Sequence, residues 1–233
     1  AAVPESLIRA FARHGGEVIQ GWGMTETSPL ASMSYIKSEL ADASEDERIY
    51  RKTFAGVPMP LIEFRLIDDE GHAQPWDGQS RGEIQVRGPT ITGSYFNVPN
   101  DPEKFSADGW LRTGDVATID TKGYIRIVDR TKDLIKSGGE WISSVDMENL
   151  LMGHPAVAEA AVIAIPDPKW TERPLACVVV KPKMEVTAEA LREHLAQTFA
   201  KWQIPERVEF IDAVPRTSTG KFWKAKLRER FTA

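Results

Sequence analysis

The sequence contains one cysteine, Cys177, among 233 residues. A lone cysteine excludes an internal disulfide framework and fits a reducing compartment, so a cytoplasmic location is expected. Cys177 stands in the apolar run Leu175–Val180, where a small buried side chain is expected. Histidine is scarce too: His14, His72, His154 and His194 have no metal-ligand spacing, which argues against a histidine-based metal site. No apolar run approaches the roughly 20 residues needed to cross a bilayer, so no transmembrane segment is expected. The start, Ala1-Ala2-Val3-Pro4, lacks an initiator Met and the charged-then-apolar order of a signal peptide. The end, Phe231-Thr232-Ala233, is not a peroxisomal address. The chain therefore reads as part of a longer protein.

An excess of positive charge is also missing. The formal net charge is −5, which argues against a general nucleic-acid binder. The imbalance is uneven: residues 1–129 carry 13 basic and 20 acidic groups, and residues 130–233 carry 16 and 14. A basic C-terminal piece suits a polyphosphate ligand, and uneven solvated faces would give the same count. With 42% hydrophobic and 27% charged residues, the chain reads as a folded globular protein.

Periodicity divides the chain. Pro4 to His14 predicts a helix with Leu7, Ile8 and Phe11 as its apolar stripe and Gly15-Gly16 as its stop. Residues 35–55 are polar and read as a surface excursion. From Leu61 the period becomes that of strands: Ile62, Phe64 and Leu66 alternate with Glu63 and Arg65, and Glu83–Arg87 follows. Val116–Asp120 and Tyr124–Val128 predict a hairpin around Thr121-Lys122-Gly123. After Asp129 the pattern mixes. A helix is expected over Ser144–Met152 behind an N-cap at Ser143, and strands over Val157–Ile165, Leu175–Lys181 and Arg207–Ile211. Thr187 is expected to cap a helix whose Leu191, Leu195 and Phe199 share a face, and Phe222–Phe231 to form a basic terminal helix. The fold class expected is α/β plus α+β. It comprises an α/β tail over 1–55, a distorted β-barrel-like subdomain over 56–129 and a small α+β domain over 130–233.

Four segments suit a nucleotide. In Gln20-Gly21-Trp22-Gly23-Met24-Thr25-Glu26, two glycines around an indole allow a turn on which a purine can stack. The hydroxyl and carboxylate that follow suit a phosphate oxygen and Mg²⁺. By itself the segment also reads as a turn with a half-buried Trp and a solvated Glu. In Thr113-Gly114-Asp115 the carboxylate can accept from both hydroxyls of a ribose, or simply brace a turn. The run Asp129–Trp141 combines charge with Gly138-Gly139, which suits either close approach of a ligand or an interdomain linker. In Pro215–Lys221, Pro stands where a phosphate-binding P-loop needs its first Gly, and Phe222 where it needs Ser or Thr. That segment is not a P-loop, and Lys221 reads as a mobile surface cation or as a point charge for phosphate oxygens.

Taken in order, GWGMTE, the TGD turn, DRTKDLIKSGGEWIS and PRTSTGK resemble the adenylate-forming superfamily. That superfamily includes acyl-CoA synthetases, the adenylation domains of peptide synthetases and firefly luciferase. SGGEWISSVDMEN and GHPAVAEAAVIAIPDPKW look most like AMP-forming fatty-acyl-CoA synthetases of bacterial type, and ligases for short thioether acids are similar here. The resemblance covers essentially all of 1–233.

It implies ATP-dependent activation of a fatty or related carboxylic acid to its adenylate, then transfer to CoA. Trp22 would stack on adenine, with Gly23 beside it, Thr25 would hold the α-phosphate and Glu26 would coordinate Mg²⁺. Asp115, assisted by Arg130, would take the ribose. Lys132 would be the hinge, Gly138 and Gly139 would line the pantetheine path, and Lys136 and Trp141 would complete the cofactor-binding set. Lys221 would be the catalytic lysine of adenylation. The family's phosphate loop ending in Pro-Lys-Gly is not found, so the resemblance implies a C-terminal fragment, inactive alone. It also allows a homodimer through a preceding region. Alternatives are a CoA ligase for a short thioether or aryl acid, or a nucleotide-binding module without catalysis.

Overall fold

Pro4 sets the first helix: its φ of −62° suits the helix start and it adds no N–H. The computed structural model describes residues 3–98, 101–218 and 220–232. They fall into two compact units that divide between Thr131 and Lys132.

In the first unit, α1 (Glu5–Arg13) buries Ile8 but leaves Leu7 and Phe11 half exposed, so only one position of the expected stripe is covered. β1 (Gly21–Trp22) and β2 (Ser32–Met33) flank a single 3-10 turn, Thr25–Thr27. α2 (Glu45–Lys52) follows, with the Ser44 hydroxyl accepting from Glu47 N at 3.2 Å. β3 (Val57–Pro58) pairs with β2 to complete a three-stranded antiparallel sheet in the order β1-β2-β3. The stretch 35–55 is thus not a mere surface excursion. Leu40 and Phe54 pack into one buried cluster with Val57 and Tyr124, and Ile49 of α2 is buried as well. One apolar residue per helix turn is too thin a stripe to stand out among Glu45, Asp46, Glu47 and Arg48.

β4 (Glu63–Ile67), β5 (Gly82–Arg87), β6 (Leu111–Ile119) and β7 (Ile125–Arg130) form an antiparallel sheet in that order. Phe64, Leu66, Ile84, Val86, Leu111 and Ile119 are the core of this unit. The expected barrel-like closure is replaced by an open sheet: no β4–β7 pairing occurs among the described residues. The outer edge of β7 is instead bridged by Gly56, opposite Ile125. A Cβ on Gly56 would lie 1.9 Å from the Met33 carbonyl, so only glycine permits that bridge.

The second unit begins with a tight hairpin, β8 (Ile135–Ser137) and β9 (Glu140–Ile142). α3 (Ser144–Gly153) starts where the Ser143 hydroxyl accepts from Asp146 N. β10 (Val157–Asp167) and β11 (Thr171–Val180) form a long hairpin, and α4 (Ala188–Leu195) is capped by Thr187. β12 (Arg207–Phe210) runs parallel to β11, and α5 (Lys224–Phe231) closes the chain. The sheet order is β10-β11-β8-β9, with β12 also on β11.

Alternation in β10 and β11 gives the sheet two apolar faces. Ala160, Val162, Ala176 and Val178 pack with Met147 and Leu151 of α3 and Leu191 and Leu195 of α4. Ala161, Ile163, Leu175 and Cys177 pack with Leu227 of α5. Fully burying each such leucine contributes about 1.5–3 kcal/mol. Burial pushes the Cys177 thiol up to about 12, so it stays protonated. α4 stops at Leu195, and Phe199 reaches the same cluster from the turn beyond it.

Candidate nucleotide site

The antiparallel register of β6 and β7 sets Asp115 directly opposite Arg130. Their side chains meet, with Arg130 Nε 3.5 Å from Asp115 Oδ1. From the separate small sheet, Trp22 donates its indole Nε1–H to Asp115 Oδ2 at 2.8 Å. One side of the half-buried indole packs on Phe64, with ring centroids 5.8 Å apart. Trp22 and Arg130 therefore share the carboxylate of Asp115. The resulting surface offers an aromatic ring, a carboxylate and a half-exposed guanidinium, which suits a base, a ribose and a phosphate.

Next to Trp22 the chain folds back on itself. A Cβ on Gly23 would lie 2.0 Å from the Pro29 carbonyl oxygen, so a side chain there is excluded. Thr27 is buried, and its hydroxyl accepts from Met24 N at 2.9 Å and lies 2.8 Å from Pro29 O. This closure leaves Thr25 exposed at the start of the turn and Glu26 half-buried. Glu26 Oε1 accepts from the Tyr95 hydroxyl at 2.6 Å, and Glu26 O accepts from Thr92 N at 2.8 Å. The hydrogen bond to this carboxylate, aided by burial, pushes the Tyr95 phenol up to about 12. Sequence reasoning missed Tyr95, which stands in Gly93-Ser94-Tyr95-Phe96 with no local sign of its partner.

In the second unit, Gly138 (φ +60°) and Gly139 (φ +87°) form the two-residue turn of the β8–β9 hairpin, a conformation other residues rarely adopt. Gly138 is closely covered, since a Cβ there would meet Trp170 at 2.7 Å, whereas nothing lies within 4 Å of one on Gly139. Lys136 and Trp141 are cross-strand partners, with the ammonium 5.4 Å from the ring centroid. Lys132, the first residue of the unit, is exposed.

Lys221 ends a small loop closed by the Arg216–Phe222 bridge and by a hydrogen bond from Thr217 N to Lys221 O at 2.8 Å. The side chain of Lys221 is exposed. Three residues further on, the side chain of Lys224 is largely but not fully buried: its ammonium lies 2.7 Å from Glu148 Oε1 and donates to Ser144 Oγ at 2.5 Å. Glu148 also accepts from Val162 N at 2.7 Å. The alternation of Lys224 with Lys221 and Lys226 gave no signal that this one lysine is internal.

Residues 1–96 match the AMP-binding enzyme family, and residues 146–221 match the AMP-binding enzyme C-terminal domain. Both regions of an AMP-binding enzyme are thus matched along this chain. Among curated relatives, a long-chain-fatty-acid–CoA ligase of Thermus thermophilus is 53% identical over 99% of the chain and 43% of the relative. A medium-chain-fatty-acid–CoA ligase of Ectopseudomonas oleovorans is 43% identical over 99% of the chain and 42% of its own length. The chain thus spans less than half the length of these relatives. The o-succinylbenzoate CoA synthetase of Bacillus subtilis, solved with its acyl-adenylate intermediate, superimposes with a TM-score of 0.84. It is 32% identical over 98% of this chain and 44% of that one. No helix among the described residues is long and apolar enough to cross a membrane.

Proposed function

We propose that this chain supplies the nucleotide-recognition segments and the lid of an ATP-dependent acid–CoA ligase that acts on a fatty or related carboxylic acid. The observation that supports this best is the convergence of Trp22 and Arg130 on Asp115. Trp22 stacks on the adenine, Asp115 accepts from the ribose hydroxyls and Arg130 assists. The single buried Cys177 supports a reducing, cytoplasmic setting.

In the first step a carboxylate oxygen of the acid bonds to the α-phosphorus of ATP, and the bond to pyrophosphate breaks. Two anions must meet, so cations lower the barrier. Thr25 donates to an α-phosphate oxygen and the exposed Lys221 adds a positive charge. Glu26 suits Mg²⁺, because that ion is commonly held by one or two carboxylates together with substrate phosphates. When bound there it neutralises charge on the phosphate oxygens. Tyr95 holds Glu26 in place while leaving its Oε2 without a hydrogen bond among the described residues. In the second step the CoA sulfur bonds to the acyl carbon, AMP leaves, and the thiol proton passes to solvent. The open Gly138-Gly139 turn gives the thiol arm room, beside Lys136 and Trp141, and Lys132 is the hinge on which the lid turns between steps.

The test is a carboxylic-acid panel on a ligase polypeptide carrying this chain, with AMP and pyrophosphate measured with and without CoA. Fatty acids should release both products, with thioester forming only when CoA is present. Lys221→Ala should slow pyrophosphate release by about 10²–10³-fold, while a supplied acyl-adenylate still passes to CoA. Nucleotide binding without turnover of any acid would overturn the ligase reading.

A further inference from the structure

Two hydrogen-bonded clasps flank the junction of the two units, each wholly within its own unit. On the near side, Thr131 donates its backbone N–H to Gly114 O at 2.9 Å, and its hydroxyl lies 3.2 Å from the same oxygen. On the far side, Arg228 Nη2 donates to Lys132 O at 3.2 Å and pairs with the Asp133 carboxylate. The first clasp fixes the peptide plane between Arg130 and Thr131. The second fixes the plane between Lys132 and Asp133. Only the peptide plane between Thr131 and Lys132 has neither.

We propose that lid rotation is confined to the φ and ψ of Thr131 and Lys132, with Arg228 as the positioning residue that holds the far side of this pivot. The anchor is firm: Arg228 lies on α5 next to the fully buried Leu227, and α5 starts at Lys224, itself paired with Glu148 inside the unit. α5 also follows the Lys221 loop directly. Rotation at the pivot therefore reaches Lys221 through one rigid helix, without slack in the residues after Lys132. A lysine at 228 could keep the ion pair but would lose the guanidinium geometry that serves a carbonyl and a carboxylate together.

This rests on the reading of the second unit as a moving lid, but its test needs no ligase activity. The whole chain is digested briefly with trypsin, and cleavage after Lys132 is compared with cleavage after Arg13 in α1. Trypsin must take hold of the Lys132 carbonyl, which Arg228 occupies. Arg228→Gln should raise cleavage after Lys132 about tenfold with cleavage after Arg13 unchanged, and Arg228→Lys should return at least part of the protection. If Arg228→Gln does not fold, Asp133→Asn removes the ion pair without touching α5 and should raise the same cleavage. An unchanged ratio in a folded variant, or an equal rise at every site, overturns the pivot. Failure of the acid panel would overturn the ligase reading and leave these rates as they are.

Discussion

Trp22, Asp115 and Arg130 in the first unit hold one another side chain to side chain, and Glu26 is held by Tyr95. In the second unit, Lys221 ends a loop and Gly139 lies in a tight turn, with a glycine just before each, and firm side-chain contacts are made elsewhere in the unit, at Glu148, Lys224 and Arg228. The difference separates two ways of using the same residue types. On the proposed function, groups that recognise a ligand are preorganised by their neighbours, whereas groups that would arrive and leave are exposed and the body that carries them is braced instead.

The largest expected effect tests that rigid body. Glu148→Ala leaves the ammonium of Lys224 buried without its carboxylate, which should cost the second unit about 3–5 kcal/mol. Urea unfolding, followed by hydrogen exchange in each unit, should show loss only in 132–232. A loss under about 1 kcal/mol would mean that the pair does not brace the unit.

The next effect tests preorganisation in the first unit. Asp115→Ala removes a charged acceptor from both Trp22 and a bound ribose, so AMP affinity of the chain should fall about 10- to 100-fold in calorimetric titration. Lys221→Ala should leave that affinity unchanged to within about twofold, since an exposed surface charge contributes little at equilibrium. Equal losses in the two variants would erase the contrast between the units.

The smallest concerns Tyr95. Its phenol is raised from the ordinary 10.0 to about 12, so the folded state favours the protonated form. The stabilisation from its hydrogen bond to Glu26 is therefore complete below pH 10 and is lost as pH rises towards about 12. A spectroscopic phenolate titration should contain one step near pH 12 that Tyr95→Phe removes. If the same step persists in Tyr95→Phe, the Glu26–Tyr95 contact is not formed in solution.

Much of the architecture was legible because it is local. The alternation at Phe64 and Leu66 and the caps at Ser143 and Thr187 are written within a few residues of where they act. Burial in α2 and the end of α4 before Phe199 were not legible, because short helices carry little periodic signal and tertiary packing decides their limits. The candidate site divides in the same way. The segments around Trp22, Asp115 and Lys221 are recognisable by their order, but the Glu26–Tyr95 bond joins residues 69 apart and Lys224–Glu148 joins two helices. Such pairings exist only once β-strand register and helix docking are set, and no spacing rule encodes them.

β11 has a consequence for how the second unit comes into being. Its hairpin with β10 is contiguous in the chain, whereas its other edge is shared between β8, which touches it at Thr171, and β12, which runs parallel from Arg207. During synthesis the hairpin can form as soon as Val180 has emerged, but most of that other edge stays open until Phe210 follows. Over that interval a nascent chain presents Leu175 to Val178, already paired to β10, with its second edge open to capture by another copy.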